Sequence, residues 1–102
     1  MVNNNFNPSQ RNTIWEKYYK KRYAAIDIFG RPMTKDNFEV DHILPAAKEG
    51  KTIVENGIPL TALSNEEKSD KCSGIINGHS FEVKENSSGI GQLIVDGNII
   101  SK

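Results

Sequence analysis

Apolar side chains in the first quarter of the chain recur with a period near 3.6. Ile14, Trp15, Tyr18, Ala25 and Ile26 fall on one stripe, with Arg22 filling the gap between them. This spacing predicts a helix from about Pro8 to Ala25 that buries the stripe, the Arg22 stem lying along it. Asn7-Pro8 supplies the start signal: Asn accepts hydrogen bonds from the first turn, and Pro has its φ already set for a helix. Lys17, Lys20 and Lys21 then fall on the wet side. The polar stretch "MVNNNF" before the helix reads as a frayed end.

Beyond the helix the period shortens to two. Gly30-Arg31-Pro32 breaks the chain, and "IDIFG" before it and "FEVDHI" after it are expected to pair as short strands. Residues 45–57 read as a polar loop with Gly50 and Gly57 as flexible points. "GIPLTAL" follows as an edge or bent strand, because Pro59 cannot donate to a ladder. "SNEE" at 64–67 fits a capping box with Ser64 as the cap, so a second helix is predicted from Asn65 to about Cys72, ending near Gly74. "HSFEVKE", "GQLIVD" and "NIISK" alternate as strands, with Asp96-Gly97 as a hairpin turn. The fold class expected is α+β. It divides into an N-terminal tail and helix (1–26), a central unit (27–73) and C-terminal strands (74–102) in one domain.

Composition narrows the function classes. The chain has 102 residues, 36% hydrophobic and 25% charged, as ordinary globular domains do. No run of apolar residues is long enough to span a bilayer, and the start of the chain lacks the apolar core of a signal peptide, so a cytoplasmic location is expected. Cys72 is alone, which excludes an internal disulfide and a zinc site on paired cysteines. It is expected as a small buried residue at a helix end. Thirteen Lys/Arg balance thirteen Asp/Glu, but unevenly: residues 1–51 carry nine cations against six anions, and residues 52–102 four against seven. "KYYKKR" at 17–22 concentrates positive charge that could meet phosphates or could be a solvated helix face. Trp15 and Tyr18 have the spacing of core residues, although they and Tyr23 could also stack on bases.

The chemistry concentrates at Asp41, His42, Asn56 and Asn65, with Lys68 one turn after Asn65. Adjacent residues in a strand point to opposite sides, so Asp41 can face the second helix while His42 faces outward. A carboxylate and an amide oxygen from Asn65, with waters, form a hard site for Mg²⁺ or Mn²⁺, and a His kept off the metal can take a proton. Each signal alone has a structural reading: Asp-His pairs occur at strand ends by chance, and Asn at a helix start often serves local hydrogen bonding. His79, between turn residues and a strand, reads mainly as an exposed turn residue, with a second base or ligand as the alternative.

The stretch "VDHILPAAKEGKTIVENGIPLTALSNEEKSDK" resembles the HNH endonuclease family, with its ββα-metal fold. It has Asp41-His42-Ile43-Leu44-Pro45 at the strand end, Asn56, Leu60, and Asn65-Glu66-Glu67-Lys68. It is most similar to members that use Asp and Asn as metal ligands, including the HNH domain of RNA-guided DNA nucleases. The resemblance implies a ββα-metal core and a metal-dependent DNA endonuclease, in which His42 is the general base and Asp41 and Asn65 hold one divalent cation. It gives Asn56 the role of holding the loop, and Lys68 a phosphate contact. It departs in lacking the Cys-x-x-Cys pairs of many members, so no structural zinc is expected, and in reducing the loop's Gly-Gly to Glu49-Gly50. The expected partner is DNA, read by Lys17, Lys20, Lys21 and Lys68, with no membrane contact and a monomer or homodimer. The alternative is a non-catalytic nucleic-acid-binding or assembly module on the same fold. The C-terminal strands, rich in Phe81, Val83, Leu93, Val95, Ile99 and Ile100, are expected to brace the small motif in place of zinc.

Overall fold

Asn7 and Gln10 start the first helix by exchanging bonds. Asn7 Oδ1 accepts from the Gln10 amide at 2.7 Å, and Gln10 Oε1 accepts from the Asn7 amide at 3.0 Å. In the computed structural model, which describes residues 6–102, the elements are α1 (Pro8–Tyr19), β1 (Ala24–Ile26), β2 (Pro32–Thr34), β3 (Glu39–His42), β4 (Gly57–Leu60), α2 (Ala62–Lys68), β5 (Ser73–Ile76), β6 (His79–Ser87), β7 (Ile90–Val95) and β8 (Asn98–Ile99). Two short 3₁₀ turns, Ala46–Lys48 and Val54–Asn56, punctuate the loop between β3 and β4. The expected frayed end lies outside the described residues except for Phe6, which is buried instead.

α1 is shorter than the period predicts. It stops at Tyr19, where Lys20 turns left-handed at φ 56. The chain then doubles back, and the buried Trp15 ring donates its Nε1 hydrogen to the Arg22 carbonyl at 2.8 Å. Arg22 is therefore an exposed turn residue rather than part of the stripe, and Ala25 belongs to β1. Ile14 and Trp15 are fully buried and Tyr18 half-buried, in keeping with core positions.

The strand pairing also differs from expectation. β1 pairs antiparallel with β2 across the Gly30 turn, and β3 pairs antiparallel with β4, so "IDIFG" and "FEVDHI" do not meet. Pro59 sits opposite Val40 in a two-stranded ladder, where each strand has a free edge for the missing N–H. α2 begins three residues early. Thr61, not Ser64, is the cap, its Oγ1 accepting from the Ser64 amide at 3.1 Å. Asp27 decides this from far away in sequence: its Oδ2 accepts from the Thr61 amide and hydroxyl at 3.0 and 2.8 Å, and its Oδ1 from the Phe29 and Arg31 amides. Burial raises the Asp27 carboxyl, but these hydrogen bonds outweigh it and hold its pKa below the usual carboxylate value. α2 ends at Lys68 rather than Cys72. Gly74 lies inside β5, and Cys72, half-buried, packs against the core.

The last four strands form one antiparallel sheet in the order β5-β6-β7-β8. Asp96-Gly97 turns as expected with φ 51 and 82, and Asn77-Gly78 makes a matching turn before β6 with φ 49 and 81. The architecture is α+β. One core cluster joins Ile43, Leu44, Ile58 and Leu60 to Phe81, Val83, Leu93 and Val95 of the sheet, and a second joins Phe6, Ile14, Trp15 and Val40. No described helix is long and apolar enough to cross a membrane.

Candidate functional site

β3 carries alternate side chains into the two clusters. Val40 belongs to the Trp15 cluster and Ile43 to the sheet cluster. Asp41 shares the Ile43 side and His42 the Val40 side. Both are nearly sealed, with 6% and 7% exposure, yet both line a cleft of about 560 Å³. The same cleft is lined by Glu39, Asn65, Glu66 and Asp70, and by Arg11 from α1.

The loop after His42 is fastened by Asn56. Its side chain is fully buried and makes four hydrogen bonds. Oδ1 accepts from the Leu44 and Gly91 amides at 2.9 Å each, and Nδ2 donates to the Leu44 and Lys51 carbonyls at 3.0 Å each. The Ile43 amide also donates to the Asn56 carbonyl at 2.8 Å. Asn56 thus welds β4, the strand end and β7 together. Gly50 and Gly91 make room for this weld: a Cβ at Gly50 would lie 1.7 Å from the Leu44 carbonyl oxygen, and one at Gly91 2.6 Å from the Leu44 nitrogen.

His42 is oriented on two sides. Its Nε2 shares a 2.8 Å hydrogen bond with Thr52 Oγ1, and the Phe6 ring lies 4.7 Å from its own. Gln10 Nε2 in turn donates to the Thr52 carbonyl at 3.1 Å, so α1 holds the residue that holds the imidazole. Burial, and then the nearby Lys68 charge, hold the His42 pKa below its ordinary value. An unprotonated imidazole at neutral pH is a competent base.

Asp41 sits against α2. Its Oδ2 is sealed from solvent and accepts no hydrogen bond of regular geometry; the Lys68 ammonium faces it at 2.8 Å. Burial raises the Asp41 carboxyl, and even against the opposing pull of Lys68 it is pushed up to about 6. Lys68 is fully buried, and its Nζ also donates to the His42 and Ile43 carbonyls at 3.1 Å each. The expected phosphate contact for Lys68 is therefore corrected: its donors are engaged inside the fold, out of reach of a polyanion. Asn65 reaches the cleft from α2, with its amide nitrogen donating to Glu39 Oε1 at 2.6 Å. That bond points the amide nitrogen at Glu39 and leaves the oxygen as the end available to a cation.

The remaining residues singled out from sequence lie elsewhere. Lys17 is in the last turn of α1, Lys20 is its cap and Lys21 follows it, so they do not share one helical face. His79 shares a 2.6 Å hydrogen bond with Asp96 Oδ2 on the C-terminal sheet and does not line the cleft. Tyr23 is exposed and donates to Asp36. Sequence reasoning missed Arg11, Thr52 and Asp27. Arg11 donates to the Phe38 carbonyl at 2.9 Å, and its guanidinium carbon lies 4.5 Å from that ring's centroid.

Two protein oxygens fit the donor set of a hard cation that keeps most of its waters. The gathering of Asp41 with Glu39, Glu66 and Asp70 around the cleft is the feature that fits it best, since clustered carboxylates favour a cation. Among the described residues no three His, Cys, Asp or Glu side chains group into a metal cage. Comparison with family models, with curated proteins and with solved structures finds no match to this chain.

Proposed function

We propose that the chain is an HNH-type endonuclease, in which β3, β4 and α2 act as a ββα-metal unit that hydrolyses DNA phosphodiester bonds. The observation that carries the reading is the meeting of Asp41, His42 and Asn65 in one cleft, from two elements, with Asn56 pinning the loop behind them. Their roles follow from their surroundings. In this reading His42 Nε2 carries the hydrogen and donates it to Thr52 Oγ1, the tautomer that leaves Nδ1 with a lone pair. Nδ1 takes a proton from water as the water oxygen attacks phosphorus, and the bridging oxygen on the far side departs. Asp41 and Asn65 would hold Mg²⁺ or Mn²⁺, which supplies positive charge at the scissile phosphate and the departing oxygen. Asn56 is a positioning residue, because none of its polar atoms is free for substrate.

The second reading is a non-catalytic nucleic-acid-binding or assembly module on the same fold, and one observation favours its assembly form. Glu39, Asp41, Glu66 and Asp70 line the cleft against the single guanidinium of Arg11, so a bare cleft repels phosphate. A divalent cation offsets two of those negative charges at the point where phosphate would sit, which is why the metal separates the readings. Supercoiled plasmid incubated with the protein is expected to relax to open circle in Mg²⁺ or Mn²⁺ and to stay intact in EDTA. Binding or assembly with no cutting under any metal would support the module instead.

A further inference from the structure

Lys68 is the largest charged side chain with no exposure at all. A buried ammonium needs partners for its donors and for its charge. It finds them on three consecutive residues at the end of β3: Asp41 Oδ2 at 2.8 Å, and the carbonyls of His42 and Ile43 at 3.1 Å each. Asp41 has no comparable alternative. Of the other charged groups lining the cleft, the carboxylates Glu39, Glu66 and Asp70 offer it no positive charge, and Arg11 is engaged with Phe38.

We propose that Lys68 is a built-in counter-cation for Asp41, which holds the end of β3 in place without metal and competes with the divalent ion for the same carboxylate. The proposal rests on reading Asp41 as a metal ligand. One carboxylate cannot neutralise two neighbouring cations, and the two repel each other strongly where water is excluded. Removing the ammonium should therefore loosen the metal-free fold and tighten metal binding. A lysine that served a phosphate would leave metal affinity unchanged.

Mn²⁺ titration calorimetry on the wild type, Asp41→Ala, Lys68→Met and Lys68→Gln tests this, with circular dichroism melting of each protein with and without Mn²⁺. Both Lys68 variants are expected to bind Mn²⁺ at least about tenfold more tightly than the wild type. Their melting temperatures, lowered without metal, should rise more on adding Mn²⁺ than the wild type's does. Affinity unchanged or weakened in both, while wild-type binding still depends on Asp41, overturns the proposal and leaves the nuclease reading standing. No Mn²⁺ binding by the wild type or by either Lys68 variant overturns both. If the Lys68 variants do not fold, Asp41→Asn/Lys68→Met decides. A cooperative metal-free melt of that double variant supports the counter-charge role; an unfolded one overturns it and assigns Lys68 to the strand-end carbonyls alone.

Discussion

His42 derives its character from three neighbours. Phe6 covers its ring, Thr52 fixes Nε2, and Lys68 adds a positive charge nearby. Burial and that charge both disfavour the imidazolium, so the rate limb that reports this base should fall below the ordinary His value of about 6.5. The sign is that of a base: cleavage rises with pH through the limb and levels off above it. Asp41 adds a second limb. Its carboxyl, pushed up to about 6, must be ionised to hold a cation, so Mn²⁺ affinity should drop as pH falls through that value. A pH series of nicking rates beside Mn²⁺ titrations would resolve the two. Thr52→Val should slow cleavage by about tenfold or more with little change in melting temperature, and Thr52→Ser should restore it, since groups that orient a working His typically matter by that much. Full activity in the Val variant would show that Thr52 does not set the tautomer.

At the scale of elements, α1 carries positive charge toward both of its ends. Arg11 near its start lines the cleft, while Lys17, Lys20 and Lys21 gather at and beyond its end. If DNA runs along α1, replacing the three lysines by Gln should weaken binding equally on all sequences. It should also flatten the plot of log affinity against log salt by about 0.9 for each phosphate no longer neutralised. An unchanged slope in a filter-binding series would make them an ordinary solvated surface. The element level is also where sequence and structure part company. Asn7-Pro8 and Asp96-Gly97 were legible because their chemistry is local: a cap, a fixed φ and a turn. Alternation through Phe38 and Val40 likewise separated Asp41 from His42 on opposite sides. The end of α1 was not legible, because Arg22 and Ala25 continue the helical period and only the Trp15 bond to the Arg22 carbonyl reveals the turn. Ser64 and Thr61 are equally good caps by type, and Asp27, distant in sequence, chooses between them. The fate of Lys68 depends on a carboxylate on another element. Asn77-Gly78 did carry a readable hairpin signal, and with it β5 could have been found.

For the whole molecule, the C-terminal sheet supplies half of the larger core. Phe81, Val83, Leu93 and Val95 complete the core that Ile43, Leu44, Ile58 and Leu60 begin, and Gly91 donates directly to Asn56. A unit of roughly 35 residues cannot bury enough surface to be stable alone. Truncation after Gly74 should therefore abolish the cooperative melt and all activity, although every proposed catalytic residue is retained. A fragment 1–74 that melts cooperatively and cuts DNA would assign the sheet another role. Charge works at this scale too. The chain is neutral overall, yet its cleft is acidic, so DNA affinity should depend on the divalent ion as well as on the basic end of α1.

The central claim is that His42 takes the proton from the attacking water. Plasmid nicking by His42→Ala against the wild type, in saturating Mn²⁺ and at matched protein concentration, tests it most directly. A positioned general base is worth roughly 10² to 10⁴ in rate, so the variant should lose at least that lower factor while its Mn²⁺ affinity stays close to wild type and its melt, lowered by the gap left beside Phe6, stays cooperative. Nicking within a few-fold of wild type would contradict the account.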